Sequence, residues 1–198
     1  MGKSLDGVGD GPSASDRGAS NASAVDRRSS VARLPAGVVT FIMTDIEGST
    51  RLLRELGEVY AELLTTHQAL LRGTFIEHRG VEVDAEGDAL FFVFADAQEA
   101  VAACLEAQRA LANHSWPLRV EVRVRIGAHT SEASPVGRRY VNLAVHQVAR
   151  ISAGAHGGQV VLSEVTATAV ANRLPDGAWL QDLGSFRLRG FPNAQRLF

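Results

Sequence analysis

The sequence predicts an α+β domain in which an antiparallel sheet carries helices and is followed by further helix and strand. Three observations predict it. A β-branched run, Val38-Val-Thr-Phe-Ile-Met-Thr44, stops at Asp45 and gives way to a Gly-Ser-Thr turn, as a buried strand feeding a helix would. Leucines at helical spacing fill the segment after it. Further on, Val120, Val122, Val124 and Ile126 alternate with Glu121, Arg123 and Arg125, the period-two pattern of a strand with one buried face.

Taken in order, residues 1–36 are dominated by Gly, Ser, Ala and Asp, with scattered Arg and no periodic apolar positions. Such a segment buries too little to offset the entropy of ordering it, so it reads as a disordered tail, with the domain spanning residues 37–198. Residues 38–44 form the first strand. Leu52, Leu53, Leu56, Tyr60, Leu63, Leu64, His67, Leu70 and Leu71 predict one long amphipathic helix over about residues 50–78, ended by Gly80. Residues 81–85 and 89–94 flank Glu86-Gly87-Asp88 as a hairpin, and Asp96 with Glu99 opens a second helix like a capping box. Pro117 breaks the chain, and residues 118–129 form the alternating strand. This β-α-β-β-α-β order is the split arrangement of ferredoxin-like folds, with two helices on one face of the sheet. C-terminal αβ additions follow: a loop over residues 130–139, a helix over about 141–153, the turn Gly154-Ala-His-Gly-Gly158, a short strand over 159–162, a helix capped by Ser163 and a closing pair of strands.

A chain of 198 residues that is 45% hydrophobic supports one good core. The net charge of −2 gives no reason to expect nucleic acid or an anionic membrane as a partner. No apolar run reaches bilayer length and the first residues lack a signal-peptide core, which predicts a cytoplasmic protein. Cys104, in the middle of a helical pattern, reads as packing. His67, His78, His114, His129 and His156 show no metal-ligand spacing and take structural or surface roles.

Asp45 and Asp88 are the chemically informative pair. Two carboxylates at two strand ends repel each other unless a cation lies between them, and hard oxygen donors suit Mg²⁺ or Mn²⁺. The amides of Gly48, Ser49 and Thr50, at the start of the following helix, favour phosphate. Metal with phosphate points to a nucleotide. Taken singly, Asp45 reads as a helix cap and Asp88 as a turn residue.

Several separated motifs together resemble the class III nucleotide cyclase catalytic domain of the bacterial type. They are Thr44-Asp45-Ile46-Glu47-Gly48-Ser49-Thr50, Gly87-Asp88, Arg125-Ile-Gly-Ala-His129, Val145-His-Gln-Val-Ala-Arg150 with Gly157-Gly-Gln-Val, and Phe186-Arg-Leu-Arg189-Gly-Phe, spread over nearly all of residues 38–198. The resemblance favours the metal reading of the aspartates. It implies a head-to-tail homodimer with shared sites that converts ATP, the family's usual substrate, or GTP into the 3′,5′-cyclic monophosphate and pyrophosphate. It further implies that Asp45, Asp88 and the backbone carbonyl of Ile46 hold two Mg²⁺ or Mn²⁺ ions, that Arg150 stabilises the transition state, and that Arg125 supports the phosphates. Arg189 stands where the family has a triphosphate-binding lysine, which keeps the charge and changes the geometry. Read without the resemblance, Arg150 complements a helix dipole and Arg189 is an exposed strand cation.

Three positions depart from the adenylate cyclase pattern. The base-reading lysine is Asp84, its acidic partner falls on Arg139, and the asparagine of the arginine-bearing helix is His146. Ionised Asp84 only accepts hydrogen bonds and Arg139 only donates. Guanine fits that pair through its N1 and N2 donors and its O6 and N7 acceptors. Adenine fits with the roles exchanged, and a third reading pairs the two side chains with each other across the interface. His146 either hydrogen-bonds ribose or phosphate, with a charge that changes near neutral pH, or caps and packs its helix. A degenerate domain that binds nucleotide or a partner with little turnover is the competing functional class. A diguanylate cyclase would need a Gly-Gly-Asp/Glu-Glu-Phe hairpin, which Glu86-Gly-Asp88-Ala-Leu does not supply.

Overall fold

The computed structural model describes residues 33–198, and the predicted tail lies outside them up to residue 32. Leu34 and Pro35, assigned to that tail by the sequence, belong to the folded unit: Leu34 packs into an apolar cluster and the Pro35 carbonyl accepts the Tyr140 hydroxyl.

The chain begins with β1 (Gly37–Ile46), α1 (Ser49–Leu56), α2 (Val59–Glu77), β2 (Val81–Glu86), β3 (Ala89–Phe94), α3 (Ala97–Asn113) and β4 (Val124–Ala133). It continues through a ribbon of β5 (Pro135–Val136) and β6 (Arg139–Tyr140), then α4 (Leu143–Gly154), β7 (Val160–Leu162), α5 (Glu164–Val170) and a ribbon of β8 (Gly184–Phe186) and β9 (Gln195–Leu197). The main sheet has the order β2-β3-β1-β4-β7; its first four strands are antiparallel, and β7 adds parallel to β4. This is the ferredoxin-like core with C-terminal additions.

β1 is buried on both faces because its apolar residues run without alternation. Ile42 and Ile46 join Leu63 and Phe75 of α2 and Val101 and Cys104 of α3. Val39 and Phe41 join Ala144 and Val148 of α4 on the opposite face. β3 does the same, with Phe92 stacked edge-on against Phe75 at 4.9 Å and Phe91 tilted on Phe41 at 5.6 Å. α4 lies directly on the backbone of β4: a Cβ on Gly127 would sit 2.5 Å from Ser152 N.

Two predicted boundaries move. The long helix is two helices, because Gly57 takes a positive φ of 54° that no residue inside a helix adopts, which breaks the backbone while Leu56 and Tyr60 keep the apolar period. The fourth strand starts at Val124 rather than near residue 118 and runs on to Ala133. Its partner β1 ends at Ile46, opposite Val124, so the earlier alternating residues have no strand to pair with beyond one bond from Glu47 N to Arg123 O. The helix starts at Asp96 and Ser163 are as expected: Asp96 accepts from Gln98 N and Glu99 N, and Ser163 accepts from Thr166 N.

Gly127→Ala should lower stability by about 1–3 kcal/mol through backbone overpacking, read as a shifted urea midpoint at unchanged slope. His78, at the end of α2, makes contacts of 3.0 Å with Glu99 and 2.9 Å with Glu106 of α3, and these carboxylates raise its pKa, Glu106 most strongly. A group raised in the folded state stabilises fully below its unfolded pKa of about 6.5 and loses that contribution as pH rises through the folded value. The melting-temperature gap between the native chain and His78→Ala should therefore be widest near pH 6 and shrink as the pH rises through the folded pKa.

Candidate active site

Asp45 is the penultimate residue of β1, on the face that it shares with Val39, Phe41 and Met43, and its cross-strand partner in β4 is Arg125. The guanidinium grips it at both oxygens, Nε to Oδ1 and Nη2 to Oδ2, each at 2.6 Å. The two side chains are 28% and 26% exposed, so this pair is less screened than a surface pair. The Asp45 hydrogen bond raises the Arg125 pKa, with Glu47 and Asp88 adding their fields.

Asp88 reaches the same strand end from the β2–β3 turn, which Gly87 makes at φ 57°. Its Oδ2 accepts the Ile46 amide at 2.8 Å. The turn is held from α2 by a relay: Arg72 grips Glu82 through Nε and Nη2 at 2.7 and 2.8 Å, its Nη1 donates to Gln68 Oε1, and Gln68 Nε2 donates to the Gly87 carbonyl at 2.7 Å. Sequence reasoning missed Gln68 and Arg72; their spacing of four on one helix face was the available signal. His67 is fully buried beside them, and burial pushes its pKa down to about 4, so it is neutral.

Gly48 takes φ 71° at the entry to α1, where no side chain caps the first amides. The amides of Ser49 and Thr50 thus open the helix beside the two aspartates. Among the described residues no three His, Cys, Asp or Glu side chains gather as a metal cage. The donor set still suits Mg²⁺ or Mn²⁺. Two hard carboxylates are tied to one strand end, Asp45 by position and Asp88 through the Ile46 amide; Asp88 keeps Oδ1 without a hydrogen bond among the described residues, and Arg125 already brings positive charge to the spot. An octahedral ion held by one or two carboxylates completes its shell with substrate phosphates and water.

Asp84 and Arg139 line one cavity of about 270 Å³, over an apolar floor that includes Met43, Val83 and Phe91. Among the described residues they make no bond to each other; Asp84 Oδ1 accepts its neighbour's amide, Ala85 N, at 3.0 Å. Glu86, which the sequence reading did not single out, lines the same cavity. A larger cavity of about 820 Å³, bordered by Arg109, Trp116 and Arg123, contains none of the predicted site residues.

His146 and Arg150 lie one turn apart on the exposed side of α4. Leu188 is buried against Ile151 of the same helix, which leaves Arg189 exposed beside it. Among the described residues none of these three side chains hydrogen-bonds to Asp45 or Asp88. Within a single chain, neither Arg150 nor Arg189 bonds to the carboxylates or lines the cavity of Asp84 and Arg139.

No family model matches the chain. An uncharacterised protein of Mycobacterium tuberculosis is 37% identical over 168 residues, covering 83% of this chain and 56% of that protein, so the chain spans little more than half the length of the curated relatives it matches first. An adenylate cyclase of Podospora anserina is 31% identical over 154 residues, 65% of this chain and 7% of that protein. A solved structure of an adenylate cyclase of Trypanosoma brucei in its monomeric state superposes with a TM-score of 0.74 at 23% identity, covering 85% of this chain and 91% of the other. The fold is that of the class III nucleotide cyclase catalytic domain. In this cyclase fold the two aspartate-bearing elements are the central strand and its neighbouring hairpin, and no helix among the described residues is long and apolar enough to cross a membrane.

Asp88→Ala strands the Ile46 amide at a nearly fully buried residue and should cost the cyclase fold about 1–3 kcal/mol. Asp88→Asn, which keeps an acceptor oxygen, should cost clearly less; urea unfolding of both variants checks this.

Proposed function

We propose that this domain is a nucleotide cyclase that converts a purine nucleoside triphosphate into its 3′,5′-cyclic monophosphate and pyrophosphate, in the cytoplasm and as a head-to-tail homodimer. The observation that carries the reading is the clasp between Asp88 and the Ile46 amide, which joins a second carboxylate to the strand end that bears Asp45. Asp45, Asp88 and the Ile46 carbonyl would hold two Mg²⁺ or Mn²⁺ ions, which supply Lewis-acid stabilisation of phosphate charge and acidify the ribose 3′-hydroxyl. The amides of Gly48, Ser49 and Thr50 and the Arg125 guanidinium bind triphosphate oxygens from the same chain. Arg150 and Arg189 of the partner copy bring positive charge to the phosphates as negative charge builds during in-line displacement. His146, one turn before Arg150, orients the ribose.

ATP leads as substrate because adenylate cyclases are among the relatives. GTP is the second candidate, supported by Asp84, Glu86 and Arg139 lining one cavity, a donor and acceptor set that suits guanine. A second functional class, nucleotide binding with little turnover, is favoured by one observation: both oxygens of Asp45 are already occupied by Arg125.

Product analysis with ATP and GTP, each with Mg²⁺ and with Mn²⁺, decides among these readings. Cyclic product is expected, and Asp45→Ala and Arg150→Ala should each reduce its rate by about 10²-fold or more. Binding without product in calorimetry would move the domain to the second class. Asp84→Lys and Arg139→Asp should shift the ATP-to-GTP ratio while leaving Mn²⁺ affinity in place.

A further inference from the structure

Arg125 binds both oxygens of Asp45, the carboxylate that would hold a catalytic cation. The contact is a matched fork, with two bonds of 2.6 Å between direct cross-strand partners, and the carboxylates of Glu47 and Asp88 act on the same guanidinium. A free divalent ion arriving here must displace a formed bidentate pair. It also meets a guanidinium that cannot lose its proton and has been deprived of its acceptor. A triphosphate removes both obstacles, because its oxygens receive the displaced fork as Asp45 is released.

We infer that Arg125 is the built-in counter-ion of the empty site, exchanged between Asp45 and the substrate phosphates, so that cation and nucleotide enter together and the cation alone is held weakly. This rests on the reading of Asp45 as a metal ligand. It adds to the phosphate role of Arg125 a second role, suppression of nucleotide-free metal binding.

The test is Mn²⁺ affinity, read from the loss of the free-ion paramagnetic resonance signal on the full chain without nucleotide. Arg125→Gln should bind Mn²⁺ alone tighter than the native chain by about tenfold or more, the factor that a charge-assisted contact is worth. The same variant should bind the Mn²⁺ complexes of 3′-deoxy-ATP and 3′-deoxy-GTP more weakly. Arg125→Lys, which keeps the charge without the fork, should fall between, and it guards against a folding defect in the glutamine variant. Unchanged or weaker Mn²⁺ binding in both variants, with circular dichroism like the native chain's, overturns the counter-ion role. Asp45→Asn separates the two ideas: if it leaves Mn²⁺ binding untouched with and without nucleotide, the metal reading of Asp45 fails; if it removes binding while Arg125→Gln gives no gain, the counter-ion inference alone fails.

Discussion

Carboxylates cannot be gathered at one strand end without an opposing charge, and the register of β1 against β4 supplies it. Ten consecutive pairs run from Gly37 opposite Ala133 to Ile46 opposite Val124 without a slip, and the ninth sets Asp45 against Arg125. A slip of one residue would turn Arg125 to the other face and bring Val124 or Ile126 opposite the aspartate. The site is therefore a consequence of strand register. Every residue from Val39 to Ile42 is almost fully buried, so both faces of β1 are covered, and within that run the Thr40 hydroxyl bonds that of its partner Thr130 at 2.9 Å, a pairing that a slip would separate.

That double burial dictates where the helices go. α2 and α3 cover the face of Ile42 and Ile46, and α2 uses its margin to hold the Gly87 turn through Gln68 and Arg72. α4 must cover Val39 and Phe41, and the missing side chain of Gly127 lets its backbone settle against β4. Once Ala144, Val148 and Ile151 are committed inward, the helix has one outward stripe left, and Leu143, His146 and Arg150 share it at spacings of three and four.

Much of this was legible in the chain because it is local. The unbroken apolar run of β1, the turn at Gly87 and the caps at Asp96 and Ser163 each depend on a few neighbouring residues, and the motifs around Asp45 and Asp88 pointed to one chemistry. What escaped depends on partners far away in sequence. Leu56 and Tyr60 keep the helical period across Gly57, so periodicity could not detect the break there. The start of β4 is set by where β1 ends, about 80 residues earlier, and the alternation of residues 120–123 looks the same with or without a partner. Arg125 was legible as a cation near the phosphates; its grip on Asp45 follows only from cross-strand pairing. Glu86 looked like a turn residue until the β5–β6 ribbon brought Arg139 to the same cavity.

The distribution of charge then bears on how a whole site is made. One chain neutralises Asp45 internally, while among the described residues Arg150 and Arg189 have no carboxylate partner. Val141 and Leu143, 77% and 65% exposed, flank the start of the same helix, and Val136 at the nearby ribbon is 67% exposed. Apolar side chains left in water beside unpaired arginines favour a covering surface that is partly apolar and brings anions. A second copy with a nucleotide between the two meets both demands at once, the copy by covering the apolar side chains and the triphosphate by engaging the arginines. The proposed dimer and the proposed reaction are thus two consequences of the same outward face of α4.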